Sequence, residues 1–527
     1  MTATLRRLVS CCAALVLTAA VDAAAQAARS GATTDLRLIE AVRSQEKPRI
    51  SAALKLSINV NAAQPDGSTA LHWAVYWEDV ETTDLLIRAG ANVKAINDLG
   101  VTPLVLACSN GTGTLVEKLL AAGADPNSAL ASGETVLMLA ARSSNVGAVQ
   151  ALVARGANVN AREGTRGQTA LMWAIANVRP DVTRVLLDHG ADIHVKSETR
   201  RLVYNMGGNR SAGSATAETP LEEVPLGGST PLLFAARSGD VESAKLLIAK
   251  GANVNDAQVD GNTALLVAVH SGHGTLAQLL MANGADVKAA PLGYTALHAA
   301  VLRGTLRDRG LKNTDPGVGE PLVKALLARG ADPNARVTKG TPIRRWSHDF
   351  ALLERWTGAT PFWLAARFLE TEMMRALAEA GADTKMTSRD GTTPLMAAAG
   401  HGYSRASGTE AFTKDRRDFS YYNSESFAVA TTIPVEEERQ AVDTVRLALE
   451  LGGDINAANG AGDTAVHAAA SLGMDSVIRF LADHGATVSV RNKAGRLPAD
   501  VAKRDNGIGS SVARETTVAL LTKLGAK

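Results

Sequence analysis

The chain has 527 residues, with 55 Lys and Arg against 53 Asp and Glu and a formal net charge of +2. That near-balance offers no bulk attraction to nucleic acid, so no nucleic-acid partner is expected. Aromatic residues make up only 4%, which suits a core filled by Ala and Leu. The length would allow several globular domains, so the order of elements along the chain decides the architecture.

At the N-terminus, Arg6 and Arg7 precede an apolar run from Leu8 to Val21, and AAAQA then offers small residues for cleavage after Ala25. Residues 1–25 read as a secretory signal peptide. The run is short for a membrane span, and an uncleaved N-terminal anchor is the alternative. LVSC at Leu8–Cys11 has the outline of a lipoprotein box, but the apolar run follows Cys11 instead of preceding it. Residues 26–34 read as a flexible leader. No second apolar stretch is long enough to cross a bilayer, so no stable span is expected after cleavage, and the expected location is periplasmic or secreted. Cleavage would remove Cys11 and Cys12 and leave Cys108 alone, so the mature chain has no internal disulfide and holds together by packing. Cys108 sits in TPLVLACSNG on the inward side of a helix, where a buried, inert thiol is expected.

From about residue 34 one unit returns with variations, and GSTALHWAVYWEDVETTDLLIRAGA at Gly67–Ala91 is its cleanest copy. Two landmarks carry the period. One is the glycine of G-x-T, at Gly67, Gly100, Gly133, Gly167, Gly228, Gly261, Gly293, Gly358, Gly391 and Gly462, with a degenerate form at Gly495. The other is the glycine of G-A-(N/D), beginning with Gly90, Gly123, Gly156 and Gly190 and ending with the looser forms at Gly452 and Gly485. Gly67 to Gly100 is 33 residues, and Gly100 to Gly133 is 33 again. Asp-Gly at the opening marks a tight turn, because glycine tolerates positive φ. The following Thr can cap a helix, and Pro at the next position suits its first turn. An apolar helix and a second, amphipathic helix such as VESAKLLIAKG follow, closed by a glycine suited to a left-handed cap. A pair of such short helices cannot bury its apolar face alone, so neighbours must stack and share a core.

TALHWA at Thr69, TPLVLA at Thr102, TPLLFA at Thr230 and TALHAA at Thr295, at that spacing, resemble the ankyrin repeat, whose 33-residue unit carries T-P-L-H-x-A. The resemblance extends over about nine tenths of the chain. It implies an all-α solenoid of about twelve helix-turn-helix units with short β-hairpin fingers over residues 35–527. Asp35–Gly67 is a worn first repeat in which Arg37, Glu40 and Arg43 give the polar outer face of a terminal cap, and GRLPADVAKRDN near the C-terminus reads as the other cap.

Departures from the spacing locate four insertions, at about 197–226, 304–319, 338–357 and 402–438. The first is rich in Gly, Ser, Ala and Pro and reads as a mobile loop. The second is polar and reads as a plain surface loop. The third holds Trp346 and Trp356 among arginines, and the fourth holds Tyr421 and Tyr422 among other aromatics. Long insertions that a repeat scaffold does not need are often functional; the competing reading has these aromatics packing down on the solenoid flank.

The residues offer no catalytic or metal constellation: no H-E-x-x-H, cysteine pair or phosphate loop is present. No cofactor is expected. His72, His298 and His467 occupy the T-x-x-H position, where the family uses the ring to hydrogen-bond neighbouring backbone. What remains is surface. The resemblance carries the family's binding positions onto the residues nine and ten beyond each opening glycine. In that row Tyr76 and Trp77 are aromatic anchors, while Arg142, Arg237, Arg303 and Arg367 suit bidentate capture of carboxylates. His270 and Phe368 stand in the same row. The expected function is a non-catalytic, monomeric scaffold that holds an acidic protein partner in a groove. The alternatives are an accessory subunit that docks a periplasmic enzyme through the aromatic insertions, and a small-ligand or enzymatic site built from them.

Overall fold

The structure, a computed structural model, describes residues 35–56, 58–205, 221–304, 315, 317–339, 356–400, 435–503 and 511–525. The signal peptide, the leader, Trp346, Tyr421 and Tyr422 lie outside these residues. The chain groups into two compact units, Met1–Glu198 and Thr199–Lys527. Both are built from short helix pairs, as the repeat requires.

The first unit holds five pairs: α1 (Arg37–Arg43) with α2 (Lys47–Lys55), α3 (Ala70–Tyr76) with α4 (Val80–Arg88), α5 (Pro103–Asn110) with α6 (Gly113–Ala121), α7 (Val136–Ser143) with α8 (Val146–Ala154), and α9 (Ala170–Ala176) with α10 (Pro180–Asp188). The first helix of each pair packs on the first helix of the next, so α1, α3, α5, α7 and α9 form one layer. Helices of seven to nine residues are too short to persist alone in water, and the first helices are largely buried, as Leu104, Ala107 and Cys108 of α5 are, except that α1 keeps Arg37 and Glu40 exposed at the end of the stack. Thr102 stands at the N-cap of α5, its hydroxyl accepting from Val105 N at 3.2 Å, with Pro103 in the first turn.

The two glycine landmarks have different physical reasons. At Gly67 the backbone is left-handed (φ +79°), and a Cβ would stand 2.9 Å from Asn97 Cα in the next finger. That finger is tied on by a hydrogen bond from Asp98 N to Asp66 O at 2.9 Å. Gly90 is also left-handed (φ +86°), yet a Cβ there would meet nothing within 4 Å. One glycine serves both backbone and close approach; the other serves backbone alone.

An asparagine clamp joins successive turns. Asn127 donates from Nδ2 to Gly156 O at 3.1 Å and accepts from Asn158 N at 2.8 Å. Asn61 and Asn160 make the same pair of bonds one period further on. In the one remaining slot of this unit, facing the Gly123 turn, stands Lys94.

The second unit opens with two strands, β1 (Arg200–Asn205) and β2 (Leu221–Leu226), paired antiparallel from Arg200↔Leu226 to Asn205↔Leu221. The insertion expected to be a mobile loop therefore begins and ends as a two-stranded ribbon. Arg201 and Glu223, diagonal neighbours on one face, form an ion pair at 3.1 Å. Seven helix pairs follow: α11 (Pro231–Ser238) with α12 (Val241–Ala249), α13 (Ala264–Ser271) with α14 (Gly274–Ala282), α15 (Ala296–Gly304) with α16 (Glu320–Ala328), α17 (Pro361–Arg367) with α18 (Thr371–Glu379), α19 (Pro394–Ala398) with α20 (Val435–Glu450), α21 (Ala465–Leu472) with α22 (Asp475–Asp483), and α23 (Pro498–Ala502) with α24 (Ser511–Lys523). The two units thus carry twelve pairs among the described residues, each unit an all-α stack of repeats and the second with an added ribbon.

Among the described residues of the second insertion, Asp315 reaches the neighbouring helix pair. Asp315 accepts from Thr275 N at 3.0 Å and Thr275 Oγ1 at 2.9 Å, capping the first turn of α14 from outside. Gly274 is needed there, because a Cβ would lie 2.2 Å from Gly317 C. After the fourth insertion α20 is sixteen residues long, and Glu436, Glu437 and Glu438 lie in its first turn, where the helix dipole favours acids.

Candidate partner-binding surface

In the first unit, Trp73, Tyr76 and Trp77 cluster at the end of α3. Trp73 is buried and donates from Nε1 to Gln64 Oε1 at 2.8 Å. Tyr76 is half-buried and meets the Trp73 and Trp77 rings edge-on at 5.8 and 5.0 Å. Trp77 is 42% exposed. The finger between this repeat and the next adds Ile96 and Leu99, 64% and 57% exposed. Among the described residues five of the eight exposed large apolar side chains belong to the first unit, so apolar surface available to a partner concentrates there.

Arg142 is half-buried, with its guanidinium carbon 5.5 Å from the Trp173 ring centroid. Arg43 makes the same contact with Trp73, also at 5.5 Å. The sequence reading placed Arg43 on the polar outer face of a cap; it is instead a second stacked arginine. The signal was present: Arg43 stands near the end of a first helix, as Arg142 does, with a tryptophan in the first helix that follows.

The second unit distributes its candidates differently. Arg237 is exposed, and its carbonyl accepts from His273 Nε2 at 3.1 Å. His270 is half-buried, sharing a 3.1 Å hydrogen bond with the Tyr294 hydroxyl and stacking on that ring at 5.6 Å. Arg303 is half-buried, and its Nη2 donates to Ser271 O at 3.4 Å. Three further candidates are not on the surface at all. Arg367 is 1% exposed, Phe368 4% and Trp356 7%. Trp356 meets Phe368 edge-on at 5.6 Å, and the Arg367 guanidinium lies 5.6 Å from the Phe368 ring. The end of the third insertion folds onto α17 and closes this position, so Arg367, Phe368 and Trp356 are core residues and not partner contacts.

The histidines of the T-x-x-H units are held within the framework. Burial pushes His72 and His467 below their ordinary value and His298 down to about 4. Cys108 is buried, and burial pushes its thiol up, which leaves it unreactive. Among the described residues no group of three His, Cys, Asp or Glu could hold a metal ion, and no helix is long and apolar enough to cross a membrane.

The profile for ankyrin repeats (3 copies) matches residues 38–129, 104–197, 213–290 and 232–337, and the profile for a single ankyrin repeat matches 461–493. The Neurogenic locus Notch protein of Drosophila melanogaster is 34% identical over 110 residues, 20% of this chain and 3% of that protein. Protein phosphatase 1 regulatory subunit 27 of Mus musculus is 28% identical over 78 residues, 15% of this chain and 51% of that protein. The chain thus spans a small fraction of the first relative and about half of the second.

Proposed function

The chain belongs to the ankyrin-repeat family, and we propose that it is a non-catalytic scaffold that holds a protein partner on the first-helix row of its first unit. Ankyrin repeats generally mediate protein–protein interaction, and proteins built from them are typically interaction modules without enzymatic activity. The observation that carries the reading is the pairing of an exposed aromatic anchor, Trp77, with an arginine, Arg142, that has no carboxylate partner among the described residues. Aromatic and arginine side chains dominate binding energy at protein interfaces, and an acidic segment is the partner chemistry that such an arginine favours. The mouse relative is by name a regulatory subunit, which fits a part that acts by holding another protein. Export through residues 1–25 belongs to the same proposal, with a partner in the periplasm or outside the cell.

Crosslinking the chain in its native compartment, followed by mass spectrometry, tests the reading. The expected result is a recurrent protein partner crosslinked near Trp77 and Arg142. Absence of any recurrent partner, or an activity of the pure protein that is lost on mutating an insertion residue, would overturn it.

A further inference from the structure

The pairs Arg43–Trp73 and Arg142–Trp173 are two copies of one geometry. In each, an arginine near the end of a first helix lays its guanidinium 5.5 Å from the centroid of an indole in the next first helix. Stacking fixes the guanidinium and leaves N–H donors for a planar anion. Among the described residues neither guanidinium carries an ion pair or a side-chain hydrogen bond. The end-of-helix positions between them, Tyr76 and Trp77 on α3 and Ser109 and Asn110 on α5, carry no charge. At these positions the row is therefore cationic at two points and uncharged between them, with a large exposed aromatic at Trp77 and one exposed acid, Glu78, just beyond it.

We infer that this row holds an extended acidic segment of the partner, one carboxylate cluster at Arg43, a second at Arg142, and an apolar side chain against Trp77. The inference rests on the scaffold reading and adds where the partner lies and what pattern it carries. Three steps from first helix to first helix separate α1 from α7. At about 8–10 Å per packed helix, that is about 24–30 Å. An extended chain covers this in about eight residues. The two acidic clusters should therefore stand about eight residues apart.

Random twelve-residue peptides displayed on phage, selected against the full chain and against R43Q/R142Q, test this. Peptides enriched by the unmodified protein should carry two acidic clusters at that spacing, and the double variant should enrich them at least tenfold less. R43K/R142K keeps the charges but not the planar fork, so it should recover only part of the loss. W77A should keep the acidic pair and lose the apolar preference between its members. Circular dichroism and a urea unfolding curve confirm that each variant is folded. Enriched peptides without the acidic pair would overturn the inference, as would a double variant that enriches the same peptides. In the latter case a peptide is still held, so the scaffold reading survives. No enrichment by either form removes the inference, and a partner crosslinked in cells would still leave the scaffold reading in place.

Discussion

The Nε2–H of His72 donates to the carbonyl of Val101, 3.0 Å away, and ties one helix pair to the finger that opens the next. The other ring nitrogen, Nδ1, accepts from Thr69 N at 3.1 Å. Both roles together require the neutral ring with its proton on Nε2. His298 repeats the bond to its own Thr295 N, and His467 reaches Arg496 O at 3.1 Å.

These rings make the fold acid-sensitive. Each is held below its ordinary value by burial, His298 down to about 4. Between that value and about 6.5 the unfolded chain binds a proton that the folded chain does not. Stability is then fully present above the unfolded value and is lost as pH falls. For His298 alone the loss between pH 8 and pH 5 is about 2 kcal/mol. Urea midpoints at the two pH values should show it, and H298Q should flatten the slope. A midpoint that does not move between pH 8 and pH 5 would contradict the assignment.

The two glycine landmarks should respond differently to a methyl group. Gly67→Ala imposes both a left-handed alanine and a clash with Asn97 Cα, whereas Gly90→Ala imposes only the backbone cost of about 1 kcal/mol. Gly67→Ala should lower the unfolding free energy by about 1–2 kcal/mol more than Gly90→Ala. Gly90→Asn, which tolerates the left-handed region, should cost least. Equal losses at the two positions would mean that the fingers are not in contact at Gly67.

The asparagine clamp predicts a gain as well as a loss. Asn127→Ala removes two hydrogen bonds to the Gly156 turn and should cost about 1–2 kcal/mol. Lys94 stands in the same slot facing the Gly123 turn, so Lys94→Asn should install the clamp and raise stability by about 0.5–1 kcal/mol. Differential scanning calorimetry of the two variants checks both signs. A destabilised Lys94→Asn would show that this slot has a different geometry.

Legibility in the sequence followed how local each signal was. Thr102, Pro103 and Gly90 act within one turn of the chain, so their roles could be read directly, whereas the close approach of Gly67 to Asn97 in the next finger is not contained in local spacing. The ribbon of 200–205 with 221–226 could not, because six-residue strands carry little periodicity and their pairing spans a Gly- and Ser-rich gap. The arginine row was half legible. Repeat spacing puts Arg142 and Arg367 at the same position, nine residues beyond Gly133 and Gly358. Exposure depends on neighbours that the spacing does not contain, and at Arg367 those neighbours include Phe368, against which Trp356 at the end of an insertion packs. The Arg43–Trp73 stack has the same end-of-helix signal, but it is faint, because Thr34 stands nine residues before Arg43 where the later repeats have their opening glycine.

Arg237 and Arg367 therefore separate binding from folding. Both read from the sequence as groove cations, yet Arg237 is exposed and Arg367 is 1% exposed beside the Phe368 ring. Truncating a buried, engaged charge leaves its surroundings unsatisfied and typically costs about 3–5 kcal/mol, whereas a surface substitution stays within about 0.5 kcal/mol. Arg367→Ala should shift the urea midpoint of the second unit strongly, and Arg237→Ala should leave it in place. A charge-reversing triple variant at Arg237, Arg303 and Arg367 would consequently lose partner capture through unfolding, so a loss of binding in it says nothing about the groove. The informative pair is Arg237→Glu and Arg303→Glu with Arg367 kept. If Arg367→Ala leaves the unfolding curve unchanged, the guanidinium is not held in the core as the structure places it.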